Sequence, residues 1–179
     1  MSNPLFSVCL FGPESTGKTT LARVLAGKLN TIAVPEYGRF YCETFGNECD
    51  EDDLRAIVAG HNLLVAAARR KANRLIVLDT DAVMTALWAH VLLGRRPPDL
   101  DVVADAAELY ILTDVDVPFA ADAIRYFPDQ TDRTRFFGLC RDELERRGLP
   151  YVIVSGDRAQ RRATALEAIK TRFGIVIDS

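Results

Sequence analysis

The chain is poor in the residues that build metal centres and disulfide scaffolds. Two histidines and four cysteines are scattered through 179 residues, and no two cysteines form a C-x-x-C pair. The interval from Cys42 to Cys49 matches no common zinc spacing, and the histidines are too few to complete a site. Cys9, Cys42, Cys49 and Cys140 therefore read as reduced thiols, with Cys9 a small hydrophobe inside a strand. No apolar run approaches the ~18 residues a membrane span needs. The opening "MSNPLFSVCLFG" has no basic start of the kind a secretory signal carries. A cytoplasmic protein with no membrane partner is the expectation. A basic excess is missing as well: 22 Lys and Arg face 25 Asp and Glu, for a net charge of −3. No global field draws in nucleic acid, and none is expected as a partner.

What remains is an ordinary globular composition, 49% hydrophobic and 26% charged. The length suits one domain, residues 1–179, around one sizeable core. Apolar runs expected as strands cover Leu5–Phe11, Thr31–Val34, Arg74–Asp81, Glu108–Asp114 and Pro150–Gly156. Between them lie helical patterns: Thr19–Leu29, a long stretch from the Asp50–Asp53 acidic cluster to "RRKANR", Ala82–Leu93 and a short piece in Asp101–Ala107. Two more follow, "TDRTRFFGLCRDELERRG" closed by Gly148, and Ala159–Phe173. Alternation of this kind implies right-handed crossovers, hence an α/β fold with a parallel sheet of about five strands and helices on both faces. Ligands in such sheets sit beyond the carboxyl ends of the strands.

One motif falls at such an end. Gly12-Pro13-Glu14-Ser15-Thr16-Gly17-Lys18-Thr19 matches G-x-x-x-x-G-K-[ST], behind an apolar strand and ahead of a helix. The glycines let backbone N–H groups converge on phosphate oxygens, and the helix start adds its positive end. Lys18 is placed to reach the β- and γ-phosphates, and Thr19 to offer a hydroxyl to Mg²⁺. The fold class is therefore P-loop NTPase-type, with Gly12, Glu14, Ser15, Thr16, Gly17, Lys18, Thr19 and Thr20 as nucleotide-binding candidates. "LIVLD" delivers Asp79 beside the loop, either as a second metal ligand or as a cap on the next helix.

The loop alone leaves transferase, switch and motor open. The N-K-x-D motif of GTPases is missing, and the chain is short for the larger motors. A small-molecule kinase needs an acceptor pocket, a group to take the acceptor's proton, and cations over the transferring phosphate. Glu36 and Asp81 are carboxylates at strand ends. Tyr37, Trp88 and Phe119 are aromatics in adjoining regions, though Trp88 at helical spacing equally suits the core. Arg125, Arg133 and Arg135 bracket "YFPDQTD", where a lid would lie, and equally suit a solvated helix face.

"GPESTGKTTLA", "PEYGR", "LDTD" followed by Thr85 and Trp88, "DVPFAAD" with Arg125, and "LPYVIVSGD" occur in that order. The series, covering nearly the whole chain, resembles the ribosylnicotinamide kinase domain of the NadR family, placed among AAA-like P-loop ATPases. Phe119 stands where that family commonly has tryptophan, His61 where it has glutamine, and Ala123 where it has glycine. The resemblance implies a stand-alone ATP- and Mg²⁺-dependent kinase that phosphorylates the 5′-hydroxyl of nicotinamide riboside. It implies catalytic roles for Lys18, Glu36 or Asp81, Arg125 and Arg133. The acceptor is expected against Glu36, Tyr37, Arg39, Asp79, Asp81, Trp88, Phe119 and Asp122. Thr19 and Asp79 are the expected metal ligands, and Gly156 and Asp157 are expected near adenine. Another nucleoside kinase, or a non-catalytic ATP-binding switch, remains the alternative, and homo-oligomerisation stays open.

Overall fold

The apolar run behind the glycine-rich loop becomes the middle strand of a sheet. β1 (Phe6–Phe11) is buried from Ser7 onward, as a strand covered on both faces must be. The computed structural model describes residues 5–117 and 129–175. Within them β1 pairs in parallel with β3 (Leu75–Asp79) and β4 (Leu109–Thr113), both buried at every position. β2 (Ile32–Val34) adds outside β3, and β5 (Tyr151–Val154) outside β4, giving the order β2-β3-β1-β4-β5. Five parallel strands were expected, and five are present.

Helices cover both faces. α1 (Lys18–Lys28) and α7 (Arg158–Phe173) bring Leu21, Leu25, Ala165 and Ile169 onto Val8, Leu10, Val77 and Ile111. α3 (Glu51–Arg69), α4 (Ala82–Leu93) and α6 (Gln130–Arg146) cover the other face, with Leu87, Phe136 and Leu144 against Cys9, Phe11, Ile76 and Tyr110. Asp50 and Asp53 form a capping box that starts α3, each side chain accepting from the other's backbone N–H.

Two helices differ from the sequence reading. α2 (Tyr37–Phe45) follows Glu36 directly, where no helix was expected. It has no side-chain cap and no buried residue, so neither a cap signal nor a burial pattern marks it. The short helix expected in Asp101–Ala107 lies earlier, as α5 (Pro98–Asp101), with proline in its first turn. A charged cluster fastens it to α6: Arg96, Arg146 and Arg147 surround the buried Glu143 and also reach Asp101. Burial pushes the Glu143 carboxyl up, but hydrogen bonds from the three arginines outweigh it and hold the group at about 2.

Where β1 leaves the sheet, Gly12 adopts φ 129° beside the end of β4. A Cβ there would lie 2.8 Å from both the carbonyl oxygen and the hydroxyl of Thr113. Gly12→Ala is expected to cost roughly 1–3 kcal/mol through strain and overlap. Thermal unfolding would read this as a midpoint several degrees lower; an unchanged midpoint would mean that Thr113 yields.

Candidate active site

The glycine-rich loop is tied down by its own polar groups. Thr16 Oγ1 donates to the Pro13 carbonyl at 2.8 Å and lies 2.6 Å from Thr113 Oγ1, whose hydroxyl is 3.1 Å from the Phe11 carbonyl. Gly17, at φ 84°, is the N-cap of α1, so the loop passes directly into the helix start. The first N–H groups of a helix have no partner within it, and here they sit where an anion would approach. Lys18 Nζ donates to the carbonyls of Gly12 at 2.9 Å and Pro13 at 2.7 Å. These are neutral acceptors, so the ammonium keeps its charge at the loop mouth, where it acts on Glu36.

Two cavities meet across this loop. The first, about 530 Å³, opens between the loop, Glu36, α2, α3 and α4. Lys18, Thr19, Glu36, Asp79 and Asp81 line its polar end; Leu54, Ile57, Met84, Trp88 and Leu92 line the rest. The second, about 570 Å³, lies toward α7, against Thr20, Leu21, Val24, Val117, Arg158, Ala159, Arg161 and Arg162. Ser15, Thr16, Gly17 and Thr20 line both. Both volumes fall within the roughly 300–1,000 Å³ of small-molecule sites.

The carboxylates in the first cavity differ in freedom. Asp81 is the N-cap of α4: it accepts from the Val83 N–H at 3.0 Å and the Tyr110 hydroxyl at 2.5 Å. Its pKa is raised by burial, with those hydrogen bonds opposing the rise. Asp79 is not the helix cap. It is buried, and its Oδ1 has no hydrogen-bond partner among the described residues. A bare, desolvated carboxylate oxygen beside Thr19 suits a hard cation such as Mg²⁺. No cluster of three or more His, Cys, Asp or Glu forms a metal cage among the described residues, and Mg²⁺ shared with nucleotide phosphates needs none. Glu36, half-buried, has its carboxyl raised to about 7, chiefly by desolvation; Lys18 lowers it and Asp79 raises it. His61 projects from α3 into the same cavity, only 5% exposed, and desolvation lowers its pKa to about 4. It is therefore neutral near pH 7.

Tyr37 lies in a slot made by a residue the sequence reading passed over. A Cβ on Gly60, in the middle of α3, would stand 2.2 Å from the Tyr37 ring. Trp88 satisfies both of its readings: it lines the cavity and packs against Phe136 with ring centroids 4.7 Å apart. Arg39 lines the rim and pairs with Glu43 at 3.0 Å. Cys42 and Cys49 also meet at the rim, with sulfurs 3.8 Å apart; desolvation raises both thiols, Cys42 to about 12, and all four cysteines are free.

Three expected placements change. Arg133, expected over the transferring phosphate, is 1% exposed on α6, and its guanidinium reaches Gln130 and the carbonyls of Val117 and Ser15. Asp157 is the N-cap of α7 in a capping box with Gln160, and the second cavity is walled instead by the residues after it. Gly156, at φ 81°, packs against the Gln160 side chain and does not line that cavity. Phe119, Asp122 and Arg125 lie outside the described residues. Arg161, which the sequence reading missed, is buried behind the loop; nothing in "RAQRRA" separates it from Arg158 and Arg162.

A parallel sheet with the nucleotide loop after its middle strand defines a P-loop nucleotide-binding protein. A family profile for an AAA domain matches residues 7–161, and the chain belongs to that family. It is 31% identical over 175 residues to the trifunctional NAD biosynthesis/regulator protein NadR of Escherichia coli strain K12, covering 94% of this chain and 43% of that protein. The chain thus spans less than half the length of the curated relatives it matches. The fold is similar to a NadR protein crystallised with NR, at TM-score 0.77 and 24% identity, over 97% of this chain and 52% of that one. It is likewise similar to a NadR protein in complex with NAD and AMP-PNP, at TM-score 0.79 and 23% identity, over 97% and 51% of the two chains. No described helix is long and apolar enough to cross a membrane.

The raised Glu36 carboxyl carries a stability signature. Its folded-state pKa of about 7 lies above the ordinary 4.5, so the fold binds this proton more tightly. That contribution is complete below pH 4.5 and is lost as pH rises through about 7. Glu36→Gln is expected to raise the unfolding midpoint at pH 8 and to leave it nearly unchanged at pH 4.5; equal midpoints at pH 8 would contradict the shift. In a helix interior Gly→Ala ordinarily stabilises by about 1 kcal/mol. Gly60→Ala is expected instead to displace Tyr37 and weaken ligands of the first cavity while circular dichroism stays native. Unaltered ligand affinity would remove Tyr37 from the wall.

Proposed function

We propose that the chain is an ATP-dependent kinase that transfers the γ-phosphoryl group to the 5′-hydroxyl of nicotinamide riboside, giving nicotinamide mononucleotide and ADP. The observation that carries this reading is the pair of cavities sharing one phosphate loop, with Glu36 on the side away from α7. ATP would place its base toward α7 and its phosphates on the loop. The acceptor would occupy the first cavity. The E. coli relative is named for NAD biosynthesis, and NadR proteins have been crystallised with NR and with an ATP analogue.

The cavity's chemistry suits such an acceptor. Nicotinamide riboside carries a pyridinium cation. Glu36, Asp79, Asp81, the rings of Tyr37, Phe40 and Trp88 and a neutral His61 are among the groups lining the space it would fill, and cation–π contact with Tyr37 or Trp88 contributes about 0.5–2 kcal/mol. Phosphoryl transfer passes through a loose transition state, so positioning and charge neutralisation carry most of the rate. Lys18 and the backbone N–H groups neutralise the phosphate oxygens. Thr19 and Asp79 would hold Mg²⁺, which would supply positive charge to the transferring phosphates. Glu36 orients the 5′-hydroxyl and takes its proton as the oxygen bonds to phosphorus. With both oxygens of Asp81 already bonded, that residue is better placed to hold a ribose hydroxyl than to serve as the base. Arg39 lines the proposed acceptor side, and Phe119, Asp122 and Arg125 are proposed to contact the acceptor on the strength of the sequence resemblance alone.

The test is product formation from Mg·ATP with nicotinamide riboside beside a panel of ordinary nucleosides. Selective formation of nicotinamide mononucleotide is expected, with kcat/KM falling as pH drops below about 7. Glu36→Gln should lower kcat by about 10²–10⁴, while Asp81→Asn should act mainly on the acceptor KM. A preference for another nucleoside would reassign the acceptor. ATP turnover indifferent to every nucleoside would point to a switch.

A further inference from the structure

We propose that Arg161 is a positioning residue for the phosphate cradle: from behind the loop it fixes the Thr16–Gly17 peptide so that the Gly17 N–H faces the donor phosphates. The inference rests on the donor reading above. Arg161 leaves the first turn of α7, is 4% exposed, and uses all three guanidinium nitrogens. Nη1 donates to the Thr16 carbonyl at 2.9 Å, Nε to the Gly156 carbonyl at 2.9 Å, and Nη2 to the Asp114 carbonyl at 3.1 Å. Nη2 also pairs with Asp116, whose other oxygen accepts the Gly156 N–H at 2.5 Å. One side chain thus grips the phosphate loop, the end of β4 and the β5–α7 turn.

The consequence for the cradle follows from peptide geometry. No peptide in the described chain is cis, and in a trans peptide the N–H points opposite the carbonyl. Pulling the Thr16 carbonyl toward Arg161 therefore turns the Gly17 N–H toward the loop's concave side. The loop needs such a hold. Ser15 at φ 57° and Gly17 at φ 84° flank Thr16 with left-handed backbone, a conformation that a residue with a side chain adopts only at a cost. Arg133 adds a second grip from α6, on the neighbouring Ser15 carbonyl at 3.4 Å. A lysine at 161 would keep the charge but not the planar fork that spans these acceptors.

The experiment is titration calorimetry of Arg161→Lys with ATP, ADP and adenosine, together with KM for ATP and for nicotinamide riboside. Loss of a charge-assisted bond to the loop should weaken ATP and ADP about tenfold or more. The acceptor KM should stay close to wild type, and adenosine should weaken clearly less than ATP or ADP, because Arg161 lines the second cavity but bonds the cradle directly. Equal weakening of adenosine, or no weakening of ATP, overturns the proposal. If Arg161→Lys does not fold, Asp116→Asn decides. It removes the charge that anchors the guanidinium and should give the same split between phosphorylated and unphosphorylated ligands, at smaller size. The absence of that split overturns the proposal. Wild-type protein that binds no ATP would instead refute the donor reading itself.

Discussion

The backbone of Gly12 passes the end of β4 with no room for a methyl group, and the candidate site depends on that contact. It lets the chain leaving β1 turn across Thr113 at once. The Thr16 hydroxyl then meets Thr113, the loop closes on Pro13, and α1 begins with Lys18 already over the loop mouth. A side chain at position 12 would push the loop off the sheet edge. The carboxylates at the ends of the flanking strands would then no longer share a space with the lysine.

Charges of both signs meet at the polar end of the first cavity. The Lys18 ammonium, hydrogen-bonded to the Gly12 and Pro13 carbonyls, offers charge to an anion, and Glu36, Asp79 and Asp81 offer charge to a cation. The apolar wall around them strengthens each interaction relative to water. The same burial that makes the site attractive to charge raises Glu36 into the range where a proton can leave and return near neutral pH.

Much of this was legible in the residues. β1, β3 and β4 are buried on both faces, so they appear as uninterrupted apolar runs. The loop motif fixes where they end, and Lys18, Thr19, Glu36, Asp79 and Asp81 then fall in one cleft because parallel strands finish at one edge. What stayed hidden depends on tertiary contact. α2 carries Gly38 and no capping bond, and it is positioned by the Tyr41–Asp53 hydrogen bond and the slot at Gly60. Spacing cannot tell which arginine of a helix turns inward, so Arg133 reads as a lid residue and Arg161 goes unmarked. Asp81 and Asp157 precede helices and carry the ordinary cap signal; the reading weighed them as ligands, and the structure engages both as caps.

The order of the sheet has a consequence for how such a protein could change. The first cavity hangs from β2 and β3 and the helices after them, the second from β4 and β5, and the phosphate loop follows the strand between. Apart from the shared loop and α1, the two linings come from separate stretches of chain, residues 35–92 for the first cavity and residues 117 and 158–162 for the second. Mutation can redraw one wall while the other keeps its shape. A lineage built on this plan can exchange the molecule it recognises on one side without relearning the other, and a designer can do the same by grafting one contiguous segment.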